Sequence, residues 1–239
     1  MTVQGEKLRE QKRELPFDFD RIASSYDLLA ALSPGYHRHL LQSASHLPCA
    51  PGVRIADLCC GTGASTLAIL KHCPQAVVVG LDASEKMLSI ARSKPQLNSV
   101  SFVLGDATFP QSAGLEGPFD ALFGAYALRN LPDPDLALSN WKSMLRRGGR
   151  LVLHEFCLSG SALSRLAWDA IALGLILPAG VILSGRAGVY RYLHESVRTF
   201  DTVDALEARL ARAGFVQVRS FPIRGWLRGI LHIFVAERP

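Results

Sequence analysis

Val53-Arg54-Ile55-Ala56-Asp57-Leu58-Cys59-Cys60-Gly61-Thr62-Gly63-Ala64-Ser65-Thr66-Leu67-Ala68 changes character half-way along its length. Val53 to Leu58 reads as a strand and Ala64 to His72 as a helix, with two glycines one residue apart between them. That spacing lets the backbone turn tightly and approach a ligand where a Cβ would collide. On either side the same alternation continues. Val77–Leu81, Val100–Leu104, Phe119–Ala125 and Leu151–Phe156 are apolar runs of strand length. Ser84, an N-cap residue type, opens a helix to Arg92, and Asp133–Leu145 is a helix that Gly148-Gly149 stops. Thr202–Ala213 reads as a helix, and Phe215–Phe221 and Leu231–Ala236 as closing strands. Strands apolar throughout, alternating with helices, predict a doubly wound α/β core with a mostly parallel sheet of seven strands.

Upstream, residues 1–15 are polar without apolar periodicity and are expected to fray. Ile22, Tyr26, Leu29 and Leu32, then Tyr36, Leu40 and Leu41, recur at helical spacing, and Ser33-Pro34-Gly35 parts two helices. The expected organisation is therefore an N-terminal helical segment or lid over residues 1–50, and a core domain over 51–239 with a helical insertion at 160–200. Ala170–Gly185, the longest uncharged stretch, is broken by Gly174, Pro178 and Gly180. It is expected to form a buried or interfacial helical hairpin rather than a membrane span.

The 239 residues are 49% hydrophobic and 20% charged, which excludes a disordered chain. The net charge of +5 comes from 20 Arg and 6 Lys. No basic block is dense enough, or interleaved with enough aromatics, to argue for nucleic acid. Cys49, Cys59, Cys60, Cys73 and Cys157 show no metal-ligand spacing or disulfide framework, so no metal is expected. With a charged N-terminus lacking an apolar leader segment, the odd count fits a reducing, cytoplasmic compartment.

The ligand of the glycine turn follows from the strand ends. A dinucleotide fingerprint has a third Gly where Thr66 stands, which weakens that reading. Asp82 ends the second strand, where a carboxylate can accept from both hydroxyls of a ribose, and Asp106 follows the third, within reach of an adenine amino group. Acids after three successive strands, Asp57 included, suit an adenosine that carries a cationic sulfonium and no phosphate. S-adenosylmethionine is that ligand. Its expected contacts are Asp57, Cys59, Gly61, Gly63, Asp82, Ala83, Asp106, Ala107 and Tyr126.

Several further segments carry a resemblance. They are Phe19-Asp20-Arg21-Ile22-Ala23-Ser24-Ser25-Tyr26-Asp27-Leu28-Leu29, Ser33 to Arg38, Ala127-Leu128-Arg129-Asn130-Leu131-Pro132-Asp133, Gly148 to Phe156, and Tyr190-Arg191-Tyr192-Leu193-His194-Glu195-Ser196-Val197-Arg198. Together they resemble the ubiquinone/menaquinone biosynthesis C-methyltransferases, from about Phe19 to the C-terminus. The resemblance implies a Rossmann-like class I methyltransferase fold and methyl transfer to a ring carbon of a polyprenyl quinol such as demethylmenaquinol. It places Tyr26, Arg129 and Asn130 at the acceptor, with Arg129 positioned to stabilise a developing phenolate. The alternatives for these residues are a structural salt bridge for Arg129 and a core aromatic for Tyr26.

The chain departs from that pattern near the expected acceptor. Ala64 stands where the family has an acid, Ala30 where Asn is usual, Arg186 where Asp is usual and His194 where Pro is usual. His154 replaces an aliphatic residue in the fifth strand, as a core residue or as the general base that Ala64 cannot be. Three readings stay open: a quinol C-methyltransferase, a methyltransferase of specialised metabolism with another small-molecule acceptor, and a cofactor-binding subunit without turnover. Leu166–Leu183 is apolar enough to wall a prenyl pocket or to touch a membrane beside Arg165, Arg186, Arg191 and Arg198, and equally to form a plain subdomain core or a homodimer face.

Overall fold

Alternate residues of each central strand are committed to opposite faces of one sheet. Ile55, Phe123 and Val152 join one apolar layer, whereas Ala56, Leu122 and Leu151 join the other. The computed structural model describes residues 3–239, without the side chains of residues 3–9, Ser25, Leu29, Ala31 and Leu32. Leu29 and Leu32, part of the expected apolar stripe, therefore lie outside the described side chains.

The chain runs α1 (Val3–Leu32), α2 (Tyr36–Ala44), β1 (Arg54–Leu58), α3 (Ala64–His72), β2 (Val77–Asp82), α4 (Glu85–Ser93), β3 (Ser101–Leu104), β4 (Phe119–Ala125), α5 (Pro134–Met144) and β5 (Leu145–Phe156). It continues through α6 (Ala162–Ile171), α7 (Leu177–Ser184), α8 (Ala187–Thr199), α9 (Val203–Arg212), β6 (Val216–Pro222) and β7 (Leu231–Glu237). Seven strands lie in the order β3-β2-β1-β4-β5-β7-β6. β1 to β5 pair in parallel, and β7 is antiparallel to both β5 and β6. The order reverses beside β1, so the carboxyl ends of β1, β2 and β4 open on a shared crevice, where such sheets bind ligands. This is the class I methyltransferase arrangement of the Rossmann-like fold.

Three expectations are corrected. Residues 3–15 are helical rather than irregular: α1 starts at Val3 and runs through Pro16, where Leu15 is buried and the Lys12 ammonium donates to Leu131 O at 3.1 Å. Ala170–Gly185 is no hairpin. A π-helical turn at Ala172–Ile176 joins α6 to α7, so Ala162–Ser184 is one helix of 23 residues. Gly180 does not break it; the missing side chain makes room for the ring of Tyr190 on α8. Cys49 and Cys73 form a disulfide across 24 residues, where no framework was expected.

Candidate active site

Asp57, fully buried at the end of β1, anchors the crevice. Its Oδ2 accepts from Ser65 Oγ and Thr66 Oγ1, each at 2.7 Å, so Thr66 serves the carboxylate where a dinucleotide site would have glycine. Oδ1 is buried and has no partner, which leaves an acceptor for a cationic amine. Burial pushes the Asp57 carboxyl up to about 7, against the lowering effect of the two hydroxyls.

Gly61 and Gly63 both have positive φ, 54° and 87°. A Cβ on Gly61 would point into open space, whereas one on Gly63 would strike Leu97. The turn is tied to β2, since Gly61 N–H and Ser84 N–H donate to the Asp82 carboxylate at 2.8 and 2.9 Å. Burial raises the Asp82 carboxyl and these N–H bonds oppose it. Ala83 is exposed beside it, and exposed Asp106 takes the Thr108 N–H at 2.7 Å. Ala107 is buried, its carbonyl accepting from the Trp141 indole. Cys59 sits at φ 60°, with its thiol pushed well up by burial and by Asp82, so it is no nucleophile. An open backbone cradle, an unpartnered buried carboxylate and a ribose-class acid fit S-adenosylmethionine.

The N-terminal helix crosses this turn. Asp27 of α1 accepts from Thr62 Oγ1 at 2.5 Å and pairs with Lys94 at 2.6 Å, while Asp20 accepts from Ser84 Oγ at 2.5 Å. Beside Asp27 on α1, Tyr26 hydrogen-bonds Tyr36; burial raises its phenol, and the Tyr36 bond and then Arg129 oppose the rise. Tyr36 stacks on Tyr126 at 6.1 Å, and Tyr126 packs on Phe156 at 5.1 Å. An aromatic wall thus extends from the cofactor turn towards the insertion.

Tyr126 follows β4 with φ 55°, a left-handed conformation that is costly for a residue with a Cβ. Asn130 holds it there: its Nδ2 donates to Tyr126 O at 2.8 Å and its Oδ1 accepts from Tyr192 Oη at 3.1 Å. Asn130 therefore positions the wall. The Tyr126 hydroxyl meets His154 Nε2 at 2.9 Å, and His154 Nδ1 meets Ser43 Oγ at 2.6 Å. Ser43 gives its own proton to His39 O, which assigns Nδ1–H as donor to Ser43 and Nε2 as acceptor from Tyr126. His154 is fully buried, and burial lowers it to about 3, so it is neutral. It does not stand open to an acceptor, and any part it plays runs through Tyr126.

Arg129 is 3% exposed, with its Nε 3.4 Å from Glu155 Oε1, its Nη1 bonded to Ser196 Oγ at 2.5 Å and its backbone N–H on Glu155 Oε2 at 3.2 Å. Burial raises the Glu155 carboxyl and Arg129 opposes the rise. Arg129 and Glu155 thus form a buried ion pair at the inner edge of the aromatic wall. Glu155, Ser196, Tyr36 and Ser43 were missed as site residues. Glu155 was detectable as the one acid in an apolar strand, since a buried carboxylate needs a cation. The Ser43 contact joins α2 to β5 and no local spacing signals it. A cavity of about 570 Å³ bordered by Gln42, His46, Arg224 and Arg228 contains none of these residues.

Comparison with known proteins gives this geometry its family. The chain is 36% identical over 232 residues to a demethylmenaquinone methyltransferase of Thermus thermophilus, covering 92% of this chain and all of that one. It is 31% identical to a ubiquinone/menaquinone biosynthesis C-methyltransferase UbiE of Teredinibacter turnerae, covering 87% and 85%. Among solved structures, the S-adenosylmethionine-dependent, possible histamine N-methyltransferase of Thermotoga maritima superposes with a TM-score of 0.66 at 19% identity, over 92% of this chain and 98% of that one. The [4+2]-cyclase SpnF does so at 0.66 and 17%, over 95% and 97%; at such identities both matches speak for the fold alone. The profile of the ubiE/COQ5 methyltransferase family matches residues 6–233, and the chain belongs to that family as an S-adenosylmethionine-dependent methyltransferase.

Proposed function

We propose that the protein methylates a ring carbon of a polyprenyl quinol of the demethylmenaquinol type, and that it meets this acceptor at the cytoplasmic face of a membrane. The observation that carries the reading is the wall of Tyr26, Tyr36, Tyr126 and Phe156, which leads from the cofactor turn to the apolar insertion. A flat ring fits against such a wall, and a prenyl tail fits beyond it. The full-length similarity to the Thermus demethylmenaquinone methyltransferase supports the same acceptor.

S-adenosylmethionine, when bound, supplies an electrophilic methyl group. The Gly61–Gly63 turn holds the nucleoside, with Asp82 for its ribose, Asp106 for its adenine and Asp57 Oδ1 for its amine. Holding donor and ring near attack distance is the larger part of the catalysis. Arg129, fixed by Glu155 and Ser196, favours the ionised form of a ring hydroxyl whose proton passes to water, which makes the neighbouring carbon nucleophilic; once the methyl is transferred, that carbon's own proton is lost to water and aromaticity returns. Tyr26 retains its proton because burial raises its phenol, so it donates to the same oxygen.

A second reading, another phenolic acceptor on the same scaffold, is favoured by Ala64 and by the Tyr126–His154 pair. The test is release of S-adenosylhomocysteine by the purified protein with demethylmenaquinol analogues and with unrelated phenols, the product's new methyl being placed by NMR. Turnover on the quinols with a C-methyl product is expected. Turnover on other phenols alone would select the second reading.

A further inference from the structure

The helix from Ala162 to Ser184 carries apolar side chains on both its faces. Ser164, Trp168, Ala172 and Gly180 form a buried stripe against the fold. On the outward face stand Leu163, Leu166, Leu173, Leu175, Val181 and Ile182, of which Leu163, Leu166 and Ile182 are 74%, 67% and 81% exposed. A helix with water on its outer side places polar residues there. Here the mean hydropathy is 2.1, and only 17% of the window is buried.

The surrounding charge says what covers this face. Arg165, Arg186 and Arg191 are exposed along it and have no ion-pair partner among the described residues. The one acid of the helix, Asp169, is taken by His194 at 2.7 Å and Arg198 at 3.4 Å. An apolar face bordered by unneutralised guanidinium groups complements an anionic lipid interface. The helix is long enough to cross a bilayer, but its inner stripe holds it in the plane. Trp168 is fully buried with its indole donating to His194 O at 3.1 Å, and the Tyr190 ring fills the space over Gly180. Crossing would tear both contacts out of the core.

We propose that the outward face of α6 and α7 docks in the plane of a bilayer that contains anionic lipids, with Arg165, Arg186 and Arg191 among the headgroups. The inference names the partner that delivers a prenylated acceptor, and to that extent rests on the reading above. Ile171 and Ile176, on the protein side, pack on the same core as Tyr126 and Phe156, so the docked face adjoins the aromatic wall.

The experiment is co-sedimentation of the full-length protein with vesicles of phosphatidylcholine alone or mixed with phosphatidylglycerol. Binding to the mixed vesicles is expected, weakening as salt is raised and weakening about tenfold or more in the double variant L166D/I182D, whose sites are exposed. R165E/R186E, a second variant with the apolar face intact, is expected to lose the preference for the anionic lipid. No binding by the wild type, unchanged binding by both variants, or a wild-type dimer that L166D/I182D dissociates would each overturn the proposal, the last by giving the face to a second copy. Turnover on a short-chain, water-soluble quinol separates the two readings. It is expected to match wild type in L166D/I182D, whereas vesicle binding without turnover on any quinol would overturn the acceptor and leave the docking face standing.

Discussion

Asp57 sets stability against binding. Its carboxyl is raised from 3.8 to about 7 by burial, so between those values the folded chain holds a proton that the unfolded chain has lost. Stability from this group is therefore greatest at low pH and falls as pH rises through that window. Asp57→Asn removes the dependence: the urea midpoint of the cofactor-free protein is expected to rise at about pH 8 and to change little at about pH 5. The same substitution removes the carboxylate from a cationic ligand, so calorimetry is expected to show weaker S-adenosylmethionine binding. In the wild type, affinity is expected to increase between about pH 6 and 8 as the group ionises. A midpoint lowered at both pH values would mean that burial does not penalise this charge. The acid itself was legible as a strand-end residue, but Ser65 and Thr66 as its partners were not, because hydroxyls at a helix start are ordinary. His154 was legible as an oddity and its environment was not. With both ring nitrogens engaged, His154→Ala is expected to destabilise by about 1–3 kcal/mol, leaving the Tyr126 hydroxyl without its acceptor while Ser43 keeps its bond to His39 O. Turnover is expected to fall less than about tenfold; a loss in the range of about 10²–10⁴ would make the imidazole the base.

At the scale of elements, the strands were legible because burial on both faces makes each of them a continuous apolar run. Phe119–Ala125 and Ala64–His72 have the expected bounds, and the other core elements differ by one residue at one or both ends except β5, which begins six residues early at Leu145. The helices outside the sheet were harder to read. Pro16, Pro178 and Gly180 are breakers by local chemistry, and each is overridden by packing: the Leu15 and Lys12 contacts for α1, a π turn and the Tyr190 ring for α6 and α7. The join of β5 to the turn after β4 offers a direct test. Glu155 is 1% exposed, and it receives both the guanidinium and the backbone N–H of Arg129. Glu155→Ala leaves a buried cation without its partner, and is expected to cost about 3–5 kcal/mol in denaturant unfolding. Glu155→Gln keeps the shape and an acceptor oxygen and is expected to cost less, while lowering kcat because the guanidinium is held less firmly without a charged partner. Equal stability of all three proteins would show that the pair does not hold the turn.

Across the whole molecule, the open question is whether residues 1–50 form a lid distinct from the domain beneath. The sheet holds its two apolar layers without α1, and α1 packs chiefly on α4 and α7. Its ties to the cofactor turn are polar: Asp27 to Thr62 and Lys94, Asp20 to Ser84 and to the Lys86 N–H at 3.2 Å. The Asp27–Lys94 pair is partly exposed, and pairs of that kind contribute little, about 0–1 kcal/mol. α1 also buries Leu15, Ile22, Ala23 and Ala30, but outside the two layers of the sheet, and an element so placed opens locally at lower free energy than the sheet. On the proposed reading, a nucleoside on the Gly61–Gly63 turn would lie beneath Asp27 and Tyr26 and would add contacts to α1 only when α1 is closed, a differential affinity that would shift the helix towards closure. Native-state hydrogen exchange is then expected to show α1 amides exchanging ahead of those in β1, β4 and β5 without ligand. S-adenosylhomocysteine is expected to slow α1 most. Asp20→Ala with Asp27→Ala is expected to speed α1 exchange, leave the sheet amides unchanged and raise the dissociation rate of S-adenosylhomocysteine several-fold in stopped-flow. If α1 and the sheet exchange together with and without ligand, the N-terminal helix is part of one cooperative unit, and the cofactor must enter by another route.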